Sequence, residues 1–180
     1  MDQFKKWAQR EYGVRQRFIA LLAADILVVI LLPILILREA SALDQRLMLP
    51  RFSYGLPNYL LGGLTAAIGW FFSMWSVQIQ FTQGRGTPIP VMAAQKLVVD
   101  GPFTYCRNPM SLGIFLFYGG IGIWAGSISA VAIVLFFTVL LVVYIKAFEE
   151  KELEARFGDE YGAYKQETPF LIPRLWHRKK

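Results

Sequence analysis

The chain has 180 residues, of which 55% are hydrophobic and only 18% charged, with a formal net charge of +6. That length suits one domain, residues 1–180, and the charged fraction lies well below the roughly 25% of soluble domains. Because the apolar residues fall in long runs and the basic ones gather at the chain ends, a soluble fold and a nucleic-acid partner are excluded in favour of a membrane protein facing anionic headgroups. A lone histidine, His177, rules out a histidine-based metal cluster, and a lone cysteine, Cys106, rules out an internal disulfide.

In chain order, residues 18–37 form a run whose only ionisable group is Asp25. Twenty residues at about 1.5 Å each cross a hydrocarbon core of roughly 30 Å, which predicts a membrane span. Basic residues precede the run, as in a cleaved signal peptide. Its length, and the lack of a small-residue cleavage site after Leu37, favour a retained span. An ionisable group at mid-membrane is costly, so Asp25 is expected to face a water-filled cavity or a polar partner on a neighbouring helix.

Residues 57–80 carry no ionisable group, nor does the stretch 112–144, which Gly126-Ser127 divides. The expected fold is therefore all-α, with four spans at 18–37, 57–80, 110–125 and 128–147. The short turn makes the last two an antiparallel hairpin. A small-xxx-small pair at Gly122 and Gly126 would let helix backbones approach closely. Sixteen of the nineteen Lys and Arg fall in the N-terminal arm, in the 82–109 loop and from Lys146 onward. The positive-inside rule then places those segments, and both termini, in the cytoplasm.

Within the 82–109 loop, Thr87-Pro-Ile-Pro90 should be extended, since proline removes a donor and disfavours helix before it. Lys96-Leu-Val-Val-Asp100 reads as a buried loop. After the fourth span, residues 149–166 predict an amphipathic helix with Leu153, Phe157, Tyr161 and Tyr164 on one face. Glu152 and Arg156 make an i,i+4 pair, and Gly158 weakens the helix by about 1 kcal/mol. Pro169 and Pro173 bound a short apolar segment, Phe170-Leu-Ile172, suited to pack back as a lid or membrane plug.

Two segments at the edges of the apolar runs carry the polar chemistry: Gly101-Pro-Phe-Thr-Tyr-Cys-Arg-Asn-Pro-Met110 and Glu149-Glu-Lys-Glu-Leu-Glu-Ala-Arg-Phe-Gly-Asp-Glu-Tyr161. Singly, Arg107 reads as an interface anchor and Glu149-Glu150 as a solvated helix start. In this order and together they resemble the isoprenylcysteine carboxyl methyltransferase and phospholipid methyltransferase superfamily of integral membrane enzymes. The resemblance covers about residues 57–174.

It implies S-adenosylmethionine as cofactor, held by the cytoplasmic segments 82–109 and 148–174. The residues it assigns to binding are Val98, Gly101, Tyr105, Arg107, Asn108, Glu149 and Glu150, with Arg107 and Glu150 as the essential catalytic pair. Arg107 offers a bidentate fork to the cofactor carboxylate. Glu149 or Glu150 takes the ammonium. Asn108 stands where relatives commonly carry histidine, which weakens any mechanism that needs an imidazole base there. Pro109 fixes the start of the third span.

Cys106 reads as a small buried hydrophobe, and no metal is implied. Gly84-Arg-Gly86 lacks the third glycine and the βαβ setting of a dinucleotide fingerprint. The acceptor is expected to be a lipid or prenyl-bearing molecule from the bilayer, in a prokaryotic plasma membrane. Small hydrophobic thiols and alcohols also suit such a pocket, and no residue chooses among them. Two alternatives stay open: an NADPH-dependent membrane reductase of the sterol reductase type, and a non-catalytic membrane scaffold.

Overall fold

The computed structural model describes residues 12–87, 92 and 94–174. The outer basic residues, His177 and most of the Thr87-Pro-Ile-Pro90 segment lie outside the described residues. Helix α1 runs Val14–Arg46, much longer than the expected 18–37, with a wide π turn over Ile26–Leu31. Helix α2 spans Leu56–Thr82, α3 Pro109–Ala125 and α4 Ile128–Tyr144. A π turn, Ile145–Glu149, carries α4 without a break into α5, Glu150–Glu167.

Among the described residues three helices are long and apolar enough to cross a membrane: Val14–Arg46, Leu56–Thr82 and the joined Ile128–Glu167. Helix α3 is apolar but shorter, at 17 residues, or about 25 Å. Large apolar side chains of α1 (Leu22, Leu27, Ile34) and α4 (Leu135, Phe136, Val139) are exposed. Water tolerates such a surface poorly, whereas lipid does not penalise it.

The helix ends follow local chemistry. Pro57 and Pro109 sit in the first turns of α2 and α3, where the missing N–H costs nothing. Gly126 closes α3 in the left-handed conformation, φ 63°, and the Ser127 hydroxyl caps α4 by accepting from the Ala130 N–H. Asp44, buried at the far end of α1, adds a second cap to α4. It accepts from the Ser127 hydroxyl and from the Ser129 N–H at 3.0 Å. At the other end, Arg17 donates to the Phe81 carbonyl at 3.1 Å and lies over the Phe81 ring. That contact ties the start of α1 to the end of α2.

The close backbone approach does not fall where the Gly122/Gly126 pair suggests. Gly126 is a helix cap, and Gly122 meets Val131 at the start of α4. The intimate contact is instead between antiparallel α2 and α3. Gly62 and Gly69 stand two turns apart on α2, facing Gly120 and Gly113 on α3. A Cβ at Gly69 would sit 2.3 Å from the Phe117 nitrogen, and one at Gly120 would sit 2.4 Å from the Ala66 nitrogen. Replacing Gly69 with alanine should therefore push the pair apart and cost about 1–3 kcal/mol. Thermal unfolding in detergent should show the loss, while Gly63→Ala, with open space around its Cβ, should leave the midpoint in place.

The polar partner expected for Asp25 is not found among the described residues. What marks this part of α1 is the π turn that follows it, where the Val28 carbonyl accepts from the Tyr118 hydroxyl of α3. A π turn displaces carbonyls from the regular ladder, and Tyr118 satisfies one of them.

Candidate active site

The site is built where the start of α3 meets α5. Gly101–Thr104 forms one tight 3-10 turn, with Gly101 at φ 59°. A side chain at that position would crowd Ile79 and Trp75 of α2. The turn delivers residues 105–108 to the edge of α3, and the chain beyond α5 pairs with them. Arg107 N–H donates to the Pro169 carbonyl at 2.8 Å, Asn108 N–H to the Phe170 carbonyl at 3.2 Å, and Arg174 N–H to the Tyr105 carbonyl at 3.0 Å. The Asn108 side-chain amide adds a bond to the Phe170 carbonyl at 3.0 Å. Phe170-Leu-Ile172 thus packs back as a strap on the Arg107 segment, with the Phe170 ring beneath the Arg107 and Lys146 cations.

Helix α5 is not the straight amphipathic rod that periodicity suggests. Gly158 adopts φ 52°, ψ −126°, and breaks the element into two arms, 150–157 and 159–167. In a straight helix Glu150 and Lys165 would stand about 22 Å apart, yet the Lys165 Nζ lies 3.0 Å from Glu150 Oε2. Lys165 also meets Glu154 at 2.8 Å. Leu153 and Phe157 from one arm and Tyr161 and Tyr164 from the other therefore line one cavity, although they do not share a helical face. The Glu152–Arg156 pair forms within the first arm at 3.2 Å. The Tyr164 hydroxyl donates to the Phe103 carbonyl at 2.7 Å, which pins the second arm to the 3-10 turn.

Arg107 is the centre of this assembly. One terminal nitrogen donates to the Lys165 carbonyl at 2.8 Å and to the Thr168 carbonyl at 2.7 Å, and the other donates to Glu150 Oε1 at 2.7 Å. Its Nε is buried without a partner. A guanidinium carries five donors in a fixed fork; three are engaged on the two terminal nitrogens, while Nε has no partner. Glu150 is 7% exposed. Burial alone would push its carboxyl up, but hydrogen bonds from Arg107 and Lys165 outweigh that and hold it below the usual carboxylate range.

The cavity has a volume of about 80 Å³, and Val98, Arg107, Asn108, Glu149 and Glu150 all line it. Five of the seven residues expected at the site are thus gathered in one place. Gly101 and Tyr105 are not among the lining residues. Gly101 shapes the turn, and the Tyr105 ring packs near Trp75 and Phe72, with centroids 6.4 and 6.5 Å away. Lys165 escaped sequence reasoning because fifteen positions separate it from Glu150, beyond any i,i+4 rule. The signal available was the glycine at position 158.

Cys106 is fully buried, and burial pushes its thiol up to about 11. It should resist alkylation by a membrane-permeant maleimide at neutral pH and react only on denaturation. Mass spectrometry of the treated native protein checks this.

Residues 57–160, more than half the chain, match the family model described as phospholipid methyltransferase. Among curated proteins, the chain is 30% identical over 112 residues to methanethiol S-methyltransferase 2 of Bradyrhizobium diazoefficiens, covering 61% of this chain and 40% of that protein. It is 30% identical over 104 residues to methanethiol S-methyltransferase of Crocosphaera subtropica, covering 57% of this chain and 36% of that protein. The chain thus spans less than half the length of these relatives. The matched region holds nearly all of α2, with α3, α4, the Arg107 turn and the first arm of α5, and so most of the residues that line the cavity, and the chain belongs to the phospholipid methyltransferase family.

Proposed function

We propose that this protein transfers a methyl group from S-adenosylmethionine to an amphiphilic acceptor drawn from the bilayer, at the cytoplasmic face. The observation that carries this reading is Arg107, which lines one cavity with Glu149 and Asn108 and whose buried Nε has no partner. An unpaired buried donor is costly, and a carboxylate ligand would satisfy it. Arg107 would hold the donor's carboxylate through its unpartnered Nε. Both Glu150 oxygens are already engaged, so Glu149 is the acid left to meet the ammonium and the nearby positive sulfur. Asn108 would add a neutral polar contact.

Bound S-adenosylmethionine supplies a methyl group on a good leaving sulfur. The chain's own contribution is to fix that group beside an acceptor, and orientation alone gives up to about 7–11 kcal/mol. The cavity of about 80 Å³ is smaller than the ~300 Å³ of typical ligand sites, so it would take only the amino-acid end of the donor. An amine or thiol acceptor must also lose a proton, for which Glu149 is the nearest free carboxylate.

The acceptor class is supported by a second, apolar cavity of about 440 Å³ between α1, α3 and α4, lined by Leu35, Ile114, Phe137 and Leu141 among others. Leu141 lies one helical turn from Ile145, and Ser111 lies three residues from Asn108. Ile145 and Asn108 line the polar cavity. A hydrocarbon chain seated in the apolar space would present its polar end to the donor. The relatives named for methanethiol favour a second reading, a small thiol as acceptor, for which that space is far larger than needed.

Membranes containing the protein, supplied with methyl-labelled S-adenosylmethionine, test the choice. Label in the lipid extract, with a 14-dalton mass shift, is the expected result. Label recovered only as a volatile sulfide after methanethiol addition favours the small thiol. Calorimetric binding of NADPH in place of S-adenosylmethionine would overturn both in favour of a reductase, and binding of neither would favour the scaffold.

A further inference from the structure

We propose that Lys165 is a positioning residue for the carboxylate of the methyl donor, acting through Glu150 on Arg107; this rests on the cofactor reading above. Lys165 reaches the cavity only through its partners. Its Nζ holds Glu150 Oε2 at 3.0 Å, while Arg107 holds Oε1 of the same carboxylate at 2.7 Å. One buried anion is thus shared by two cations.

That sharing sets what Arg107 can offer. Were Glu150 paired with Arg107 alone, its negative charge would cancel the guanidinium and leave little attraction for an incoming carboxylate. With Lys165 on the far oxygen, the buried pair keeps a positive excess on the side of the unpartnered Arg107 Nε. Glu154 also meets Lys165, at 2.8 Å; those side chains are 47% and 37% exposed, so solvent screens that outer pair more than the contact to Glu150, which is 10% exposed. The Lys165 main chain serves separately, since its carbonyl accepts from Arg107 and survives any change of side chain. The device depends on the corner at Gly158, which lets positions 150 and 165 come together.

The test compares two ligands on the full chain in detergent: S-adenosylmethionine, and its decarboxylated form, which lacks the group in question. Lys165→Met should weaken S-adenosylmethionine binding about tenfold, the scale of one partly screened charge. It should change the decarboxylated ligand by less than twofold. Lys165→Gln, which retains a hydrogen-bond donor but no charge, should behave like Lys165→Met and stands in if that variant misfolds. Lys165→Arg should restore most of the affinity. Equal losses for both ligands would reduce Lys165 to a structural brace, and an unchanged affinity for S-adenosylmethionine would remove it altogether. If the unaltered protein binds neither ligand, the cofactor reading itself fails and takes this proposal with it.

Discussion

Replacing Gly158 with alanine is expected to abolish S-adenosylmethionine binding while the membrane helices stay folded. At φ 52°, ψ −126° the backbone occupies a region that an L side chain enters only at a cost of about 1–3 kcal/mol. Open space surrounds the position, so the penalty is conformational and not a clash. The helix can escape it by straightening, because alanine is the best helix former. Straightening, however, would set positions 150 and 165 about 22 Å apart along the helix axis, too far for the Lys165–Glu150 contact. It would also withdraw Tyr161 and Tyr164 from the cavity and release the strap that pairs with residues 105–108. Calorimetry should therefore show no binding, with helicity unchanged or raised. Gly162→Ala, in the second arm with nothing near its Cβ, is the control and should bind normally. Retained affinity in Gly158→Ala would mean that the corner is not needed to build the site.

Arg107→Ala is the second large effect. The change strips the donor from the Lys165 and Thr168 carbonyls and leaves Glu150 with Lys165 alone. Breaking a buried ion pair typically costs about 3–5 kcal/mol, and the surviving Lys165 contact places this case at the lower end. Affinity for S-adenosylmethionine should fall at least about a hundredfold, because both the charge and the unpartnered Nε vanish. Arg107→Lys separates the two contributions. A single ammonium cannot reach two carbonyls, Glu150 and a ligand from one position, so it should bind nearly as poorly as alanine. Near-normal affinity in the lysine variant would show that charge alone matters and that the fork geometry is incidental.

The membrane helices were legible in the chain because burial in lipid demands long apolar runs, and such runs stand out whatever their neighbours. Pro109 and Gly126 marked the ends of α3 for equally local reasons, a fixed φ and a positive one. The Arg107 and Glu149-Glu150 segments stood out because charged residues at the edges of such runs are few. The meeting of Arg107 and Glu150 at 2.7 Å nonetheless required the 42 intervening residues to fold back as a hairpin.

Other features had no local signature. The glycines of α2 gave no hint that they face Gly113 and Gly120, since helix–helix register depends on both partners at once. Asp44 was one more polar residue near a helix end until the fold placed α4 above it. Gly158 looked like a weak point in a helix, since a 3.6-residue period continues through it; only the packing of Tyr164 on Phe103, with Arg107 on the Lys165 and Thr168 carbonyls, holds it in a bent state. The amino-acid sequence by itself determined which segments enter the membrane and which residues bring charge to its edge, because hydrophobicity and backbone propensity are properties of short stretches. The tertiary structure decided which charges share a partner, and so where a donor is left unmet, because ion pairing depends on distances that no stretch of sequence sets alone.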